Sequence, residues 1–329
     1  MKNDSLHIRL KTFMASAVAC LFLSCTVWTG PVKLATIGGD KGKNSGTPPP
    51  STTGDVTLEY VRSFGVEAGI RSPWGISFGV DGTLYVCDRD RSSVVRLDAD
   101  GAAIARYSGS GTRVERLYSP IDICSSAGMA VYAIDSADSR VIRFDRNLKN
   151  SYVMYRRESS GNRLFGTLNG IAFDKISGDM YVTDRDTGSL IRIDMLGGSI
   201  ASRGSFGSSK ESLREPAGLD VSQEGVIYIA DRGDGVVAVL ENFGAKFRHI
   251  GRGILETPVD VAVIPETGIA VADRNGIVIL SPEGVALGAA GYGVDRNLAP
   301  RSVTLGEHGL YVSDGVANSI LVYRIVRKQ

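Results

Sequence analysis

Six times along the chain a short hydrophobic run ends in an aspartate at the head of a polar turn. The segments are LYVCDRDRSS (84–93), VYAIDSADSR (131–140), MYVTDRDTGS (180–189), IYIADRGDGV (227–236), IAVADRNGIV (269–278) and LYVSDGVANS (310–319). Their aspartates, Asp88, Asp135, Asp184, Asp231, Asp273 and Asp314, stand 47, 49, 47, 42 and 41 residues apart. A period of that size marks a repeat architecture, in which each unit buries its apolar surface against its neighbours.

Other features keep the same phase. Before each aspartate comes a turn and an apolar run: SPWGISF, SPIDIC, TLNGIAF, EPAGLDV, TPVDVAV and APRSVTL. After it comes another: SVVRLD, RVIRFD, LIRID, VVAVLE, IVILS and SILVYR. Short apolar and β-branched runs bounded by Gly, Pro, Asp and Asn are strand signals, so each unit reads as four short strands. No segment sustains a helical period. The pattern predicts an all-β fold, a six-bladed β-propeller of four-stranded blades. The last unit, ending SILVYRIVRKQ, has no room for a fourth strand, while VTLEYVRSFG (56–65) matches the fourth-strand segments AAIARYSGSG and SIASRGSFG. The N-terminal strand is therefore expected to complete the last blade and remove an exposed edge.

The units resemble the NHL-repeat family, in which a Pro-x-Gly-hydrophobic turn precedes a strand ending Tyr-Val-x-Asp. The resemblance covers residues 57–326, with departures at Leu168 for the proline, Ala270 for the tyrosine, and Asp122, Asp260 and Ser302 for the glycine. Related six-bladed propellers include lyases, lactonases and other hydrolases with a metal at the channel mouth, held by histidines or carboxylates.

Ahead of the propeller, MKNDSLHIRLK carries Lys2, Arg9 and Lys11, and the apolar run TFMASAVACLFLS follows, too short to span a bilayer comfortably. This reads as a secretory signal over residues 1–25. Its end, Leu21-Phe22-Leu23-Ser24-Cys25, resembles a bacterial lipobox, which implies lipidation of Cys25, with Cys20 the second candidate. An ordinary cleaved signal or an uncleaved anchor are the plainer alternatives. Residues 26–55 include GGDKGKNSGTPPPSTTGD and read as a flexible tether before the propeller at 56–329. Thr26, rather than aspartate, follows the cysteine, and by the same resemblance the chain is expected on the outer membrane or the periplasmic side of the envelope.

With 37 basic and 36 acidic residues, the chain lacks the concentrated positive charge of non-specific nucleic-acid binders, and no nucleic-acid partner is expected. A monomer is expected. Only Cys87 and Cys124 fall in the propeller, where they either fill small-residue positions as buried thiols, the favoured reading, or pair between blades.

The repeated aspartates suit a structural role, accepting hydrogen bonds from N–H groups of the turns they begin. The arginines after four of them, Arg89, Arg185, Arg232 and Arg274, share a face with the interblade loops, which add Arg71, Arg113, Arg116, Arg163, Arg214, Arg252 and Arg296. These either bridge to neighbouring aspartates or form a recognition surface. The opposite face, with DADG, SQEG, PETG, SPEG and GEHG, is mostly acidic. At the channel mouth, Trp74, Asn169 and Arg301 are placed to meet a ligand. Asp122 and Asp260, with Asn169, could hold a hard divalent cation such as calcium, or else accept backbone amides. His7, His249 and His308 are too scattered for a zinc site or a Ser-His-Asp set. The expected function is thus a binding scaffold whose arginine-rich face recognises an envelope protein, a peptide or a glycan, with no cofactor required. The alternative is an oxygen-ligand metal-dependent lyase, lactonase or other hydrolase.

Overall fold

A computed structural model describes residues 49–109, 116–156, 165–195, 200–204, 212–291 and 298–328. It contains six antiparallel sheets of four strands each, arranged as the blades of a propeller. The innermost strands, in blade order, are Pro73–Phe78, Pro120–Ser125, Leu168–Phe173, Pro216–Val221, Asp260–Ile264 and Pro300–Gly306. The sole helical element among the described residues is a single 3-10 turn, Asn242–Gly244.

The apolar runs are continuous because each blade is covered on both faces. In the second strand of blade one, Leu84–Asp88, every residue is buried. Leu84 and Val86 pack towards blade six, against Tyr311, Ile320 and Val322, whereas Tyr85 and Cys87 pack towards blade two, against Val131 and Ala133. Alternate side chains of one strand thus serve two interblade cores. Cys87 and Cys124 are buried free thiols, and burial pushes both well above the usual thiol range.

The ring closes as the sequence implies. Val56–Phe64 pairs antiparallel with the last strand, Ser319–Arg327, from Val56 opposite Arg327 to Phe64 opposite Ile320. Blade six therefore takes its outer strand from the beginning of the propeller and three from its end.

Each repeated aspartate is fully buried. Its partners include a set that the turn alone did not indicate, the N–H groups of the interblade loop roughly 16 residues upstream. Asp88 accepts from Arg71 and Ser72, Asp135 from Tyr118 and Ser119, Asp231 from Arg214 and Glu215, and Asp273 from Glu256 and Thr257. Asp184, Asp231 and Asp314 also accept from their own turns, through the N–H groups of Asp186, Gly233 and Val316. The carboxylate therefore fastens loop to turn on the arginine-rich face. Asp88 and Asp135 also meet an arginine, but these are Arg106 at 3.3 Å and Arg140 at 2.8 Å, not the arginines that follow the motif.

Candidate functional site at the channel mouth

The Pro-x-Gly segments shape the mouth. In blades one, two, four and six the proline sits opposite the repeated aspartate, as Leu168 does in blade three, and the register then shifts by a bulge. Proline suits the first position of a strand because it has no N–H to donate, and a bulge re-aims the side chain beside it. Trp74, Ile121, Asn169, Ala217 and Arg301 occupy these positions, and all five line a small hollow of about 60 Å³ together with Arg232, Asp122 and Asp260.

Trp74 is gripped from two blades. The Arg89 guanidinium carbon lies 4.5 Å from its ring centroid and that of Arg301 lies 5.0 Å away. Arg89 is further steadied by donating from Nε to the Ser119 hydroxyl at 3.0 Å. The Asn169 amide donates to the Pro216 carbonyl at 3.2 Å, across to blade four. Arg232 stands 4.0 Å from Glu215, and its buried Nε has no acceptor among the described residues. The structure thus gathers Trp74, Arg89, Asn169, Arg232 and Arg301.

Arg185 and Arg274 are exposed and lie elsewhere on the same face. Arg185 edges a separate groove with Asp186, Arg214 and Glu215. Arg274 sits in a different turn: Asp273 pairs directly with Gly276, whereas Asp88 pairs with Ser93, so blade five turns over two residues where blade one uses four. Of the interblade arginines, Arg113, Arg163 and Arg296 lie outside the described residues, as does Cys25.

Asp122 and Asp260 hold blades together. Asp122 accepts the N–H of Ile123 at 2.9 Å and, across the interface, that of Ile171 at 2.8 Å. Asp260 accepts from Val261 and Val303, both at 2.9 Å. A third carboxyl, Asp220, was overlooked by sequence reasoning and does the same with Val221 and Val263, both at 2.8 Å. Its signal was its position: its counterparts in the other innermost strands are Ser77, Cys124, Ala172, Ala262 and Thr304. Burial foremost raises all three pKa values: Asp122 goes well above the usual range, with the charge of Asp260 adding to the effect, and Asp260 rises to about 7. Among the described residues, no three or more His, Cys, Asp or Glu side chains are grouped to hold a metal ion. Each of the four Asp122 and Asp260 oxygens accepts one backbone N–H, so calcium, a hard cation that takes six to eight oxygen ligands, would have to draw on their remaining lone pairs.

Asp122 and Asp260 also line a second, larger hollow of about 360 Å³ towards the opposite end of the channel, walled by all six innermost strands and by Lys175 and Ile176 of the blade-three loop.

No protein-family description matches this sequence, and no curated protein matches it. Solved structures match by shape at low identity. A virginiamycin B lyase from Staphylococcus aureus aligns with a TM-score of 0.60 at 11% identity, covering 83% of this chain and 100% of that chain. A gluconolactonase from Xanthomonas campestris gives 0.60 at 12%, covering 85% and 97%. A chain of the nidogen/laminin complex gives 0.58 at 18%, covering 71% and 85%. Likeness at these identities establishes architecture, not activity. The chain is a six-bladed β-propeller with structural neighbours among the virginiamycin B lyase and gluconolactonase propellers.

Proposed function

We propose that this protein is a binding scaffold of NHL-repeat type, held at the cell envelope by a lipid on Cys25, whose arginine-rich face captures a carboxylate-bearing protein segment, peptide or acidic glycan. The observation that carries this reading is the cluster at the mouth: Trp74 between Arg89 and Arg301, beside an Arg232 whose Nε is unsatisfied among the described residues. An aromatic plate with several guanidinium groups around it offers stacking and bidentate hydrogen bonds in one place. The nidogen/laminin complex supplies a precedent for a chain of this shape within a protein assembly.

The test is capture of partners from an envelope extract by the wild type and by the Arg89→Ala, Arg232→Ala, Arg301→Ala triple variant. Loss of capture with an unchanged melting temperature is expected, and undiminished capture by the triple variant would refute the assignment. Fatty-acid labelling that persists in Cys25→Ser would separately refute the anchor. The metal-dependent lyase or lactonase reading draws on the architecture shared with those enzymes. A stoichiometric divalent ion retained by the purified protein would favour it.

A further inference from the structure

The channel has two chemically different ends. The arginine-lined mouth holds about 60 Å³, whereas the far chamber holds about 360 Å³, within the ordinary size range of small-molecule sites. Its walls include Ile76, Phe78, Phe173, Leu219, Val263 and Leu305. At its rim Ile176 leaves 75% of its surface in solvent, an extension of apolar wall with nothing packed on it among the described residues.

The polar lining is one-sided. Asp122, Asp220 and Asp260 reach the chamber from three blades, and the one cation lining it among the described residues is Lys175, exposed at the rim. Each of the six carboxyl oxygens accepts one backbone N–H and Asp260 is also held by the Ser302 hydroxyl, while a carboxylate oxygen has a second lone-pair site for another donor, most open at Asp122 and Asp220. Two further carboxylates, Glu224 and Glu307, are exposed on the loops at this end of the channel. Asp81 and Glu266 on neighbouring loops are already bridged to Arg96 and Arg327. An anion entering here meets four carboxyls, Asp174 at the blade-three loop being the fourth, against one lysine. An uncharged ligand gains the apolar walls only.

We propose that the far chamber is a second binding site, distinct from the arginine-rich mouth, for a small organic ammonium ion with an apolar body. Asp220, Asp122 and Asp260 take the ammonium group, and the apolar walls take the body. Desolvation explains the preference: burial disfavours charge on these carboxyls, and a cation brought among them supplies the missing counter-charge. Asp220 is the best placed of the three to lead, because it lines the far chamber and not the mouth.

The test titrates the full chain with phenethylammonium, 2-phenylethanol and phenylacetate, three probes of similar shape and different charge, read by methyl NMR of Ile, Leu and Val. Saturable shifts centred on Ile76, Leu219 and Leu305 are expected with the ammonium probe alone. Asp220→Asn should weaken that binding at least about tenfold, since a charge-assisted contact is replaced by a neutral one. Should that variant fold poorly, Ser77→Phe, which adds bulk to the chamber from blade one and replaces no carboxyl, must abolish binding instead. The arginine triple variant should bind the probe as the wild type does, which separates failure of this site from failure of the mouth. Absence of ammonium binding, equal binding of the alcohol or the acid, or full affinity in a folded Asp220→Asn or Ser77→Phe variant would overturn the proposal.

Discussion

The carboxyl group of Asp260, in the innermost strand of blade five, accepts the backbone N–H of Val303 in blade six at 2.9 Å. The same device joins Asp122 to Ile171 and Asp220 to Val263, and the Ser302 hydroxyl accepts from Ile76 to tie blade six to blade one. Innermost strands of neighbouring blades belong to different sheets, so without these side chains their inward N–H groups would lack partners. The positions where this chain departs from the Pro-x-Gly pattern, Asp122, Asp260 and Ser302, are among those that supply these bonds.

This arrangement makes stability depend on pH in a defined sense. Burial raises the Asp260 pKa to about 7, against about 3.9 for an unfolded aspartate. A raised folded value means that the contribution is complete below the unfolded value and is lost as pH rises through about 7. Asp122 and Asp220 shift in the same direction. His249, whose pKa is lowered by burial and by Arg252, works in the opposite sense. The informative quantity is therefore the wild type minus Asp260→Asn. The stability advantage of the wild type should shrink by a few kcal/mol between about pH 5 and pH 8, measured by chemical denaturation. A constant or growing difference would contradict the assignment.

Close approach of the innermost strands predicts a contrast between glycines. A Cβ on Gly75 would sit 2.4 Å from the Asp122 Cα, in backbone that cannot swing aside. Gly75→Ala should cost at least about 3 kcal/mol, the upper end of overpacking penalties. Gly225 has φ +77°, and a Cβ there would meet nothing within 4 Å, so Gly225→Ala should cost only about 1 kcal/mol, through left-handed backbone strain. Equal losses in thermal melts would show that the two blades yield to one another.

These contrasts mark what the chain disclosed before its structure. The six aspartates were legible because a buried strand end and a polar turn leave a mark every 41 to 49 residues. The closing strand was legible because Val56–Phe64 has the character of the other outer strands. The partners of Asp88 and its equivalents were not, because the amides of Arg71 and Ser72 reach it only when the interblade loop folds over the turn. Nor was the arginine cluster: Arg89, Arg185, Arg232 and Arg274 follow the same motif, yet turn length and local packing place only Arg89 and Arg232 by Trp74 and the mouth. Asp220 escaped notice because side-chain direction after a bulge does not follow from counting residues.

The pair Asp135 and Arg140 should be the most sensitive charge pair among the described residues. Their side chains are 0% and 2% exposed at 2.8 Å separation. Asp135→Ala takes the acceptor from the N–H groups of Tyr118 and Ser119 and leaves the Arg140 guanidinium with Asp138 at 3.6 Å and the Arg116 carbonyl, for a loss of about 3 kcal/mol. By contrast, in the pair Lys246 and Glu241, also at 2.8 Å, the lysine is largely in solvent and the glutamate partly so, and Lys246→Ala should change stability only slightly. A double-mutant cycle on Asp135 and Arg140 should show strong coupling. Additive single losses would mean that Asp135 acts through the loop amides alone.

Finally, the closing strand divides two truncations. Among the described residues, deleting residues 1–55 removes only peripheral bonds at this edge, such as Thr53 N–H to the Ala286 carbonyl and Lys328 N–H to the Asp55 carbonyl. Deleting residues 1–66 removes the whole outer partner of Ser319–Arg327, including the buried Val56, Leu58 and Phe64. At about 1.5 to 3 kcal/mol for each such side chain, the loss approaches or exceeds the stability of a typical domain, about 5 to 15 kcal/mol. It also leaves a long, apolar strand with unpaired backbone groups at the edge of blade six. The shorter truncation should melt cooperatively near the wild-type temperature. The longer one should aggregate or show no cooperative transition, and adding a synthetic peptide of residues 53–66 should restore one. Equal melting temperatures for the two truncations would mean that blade six stands without its N-terminal strand.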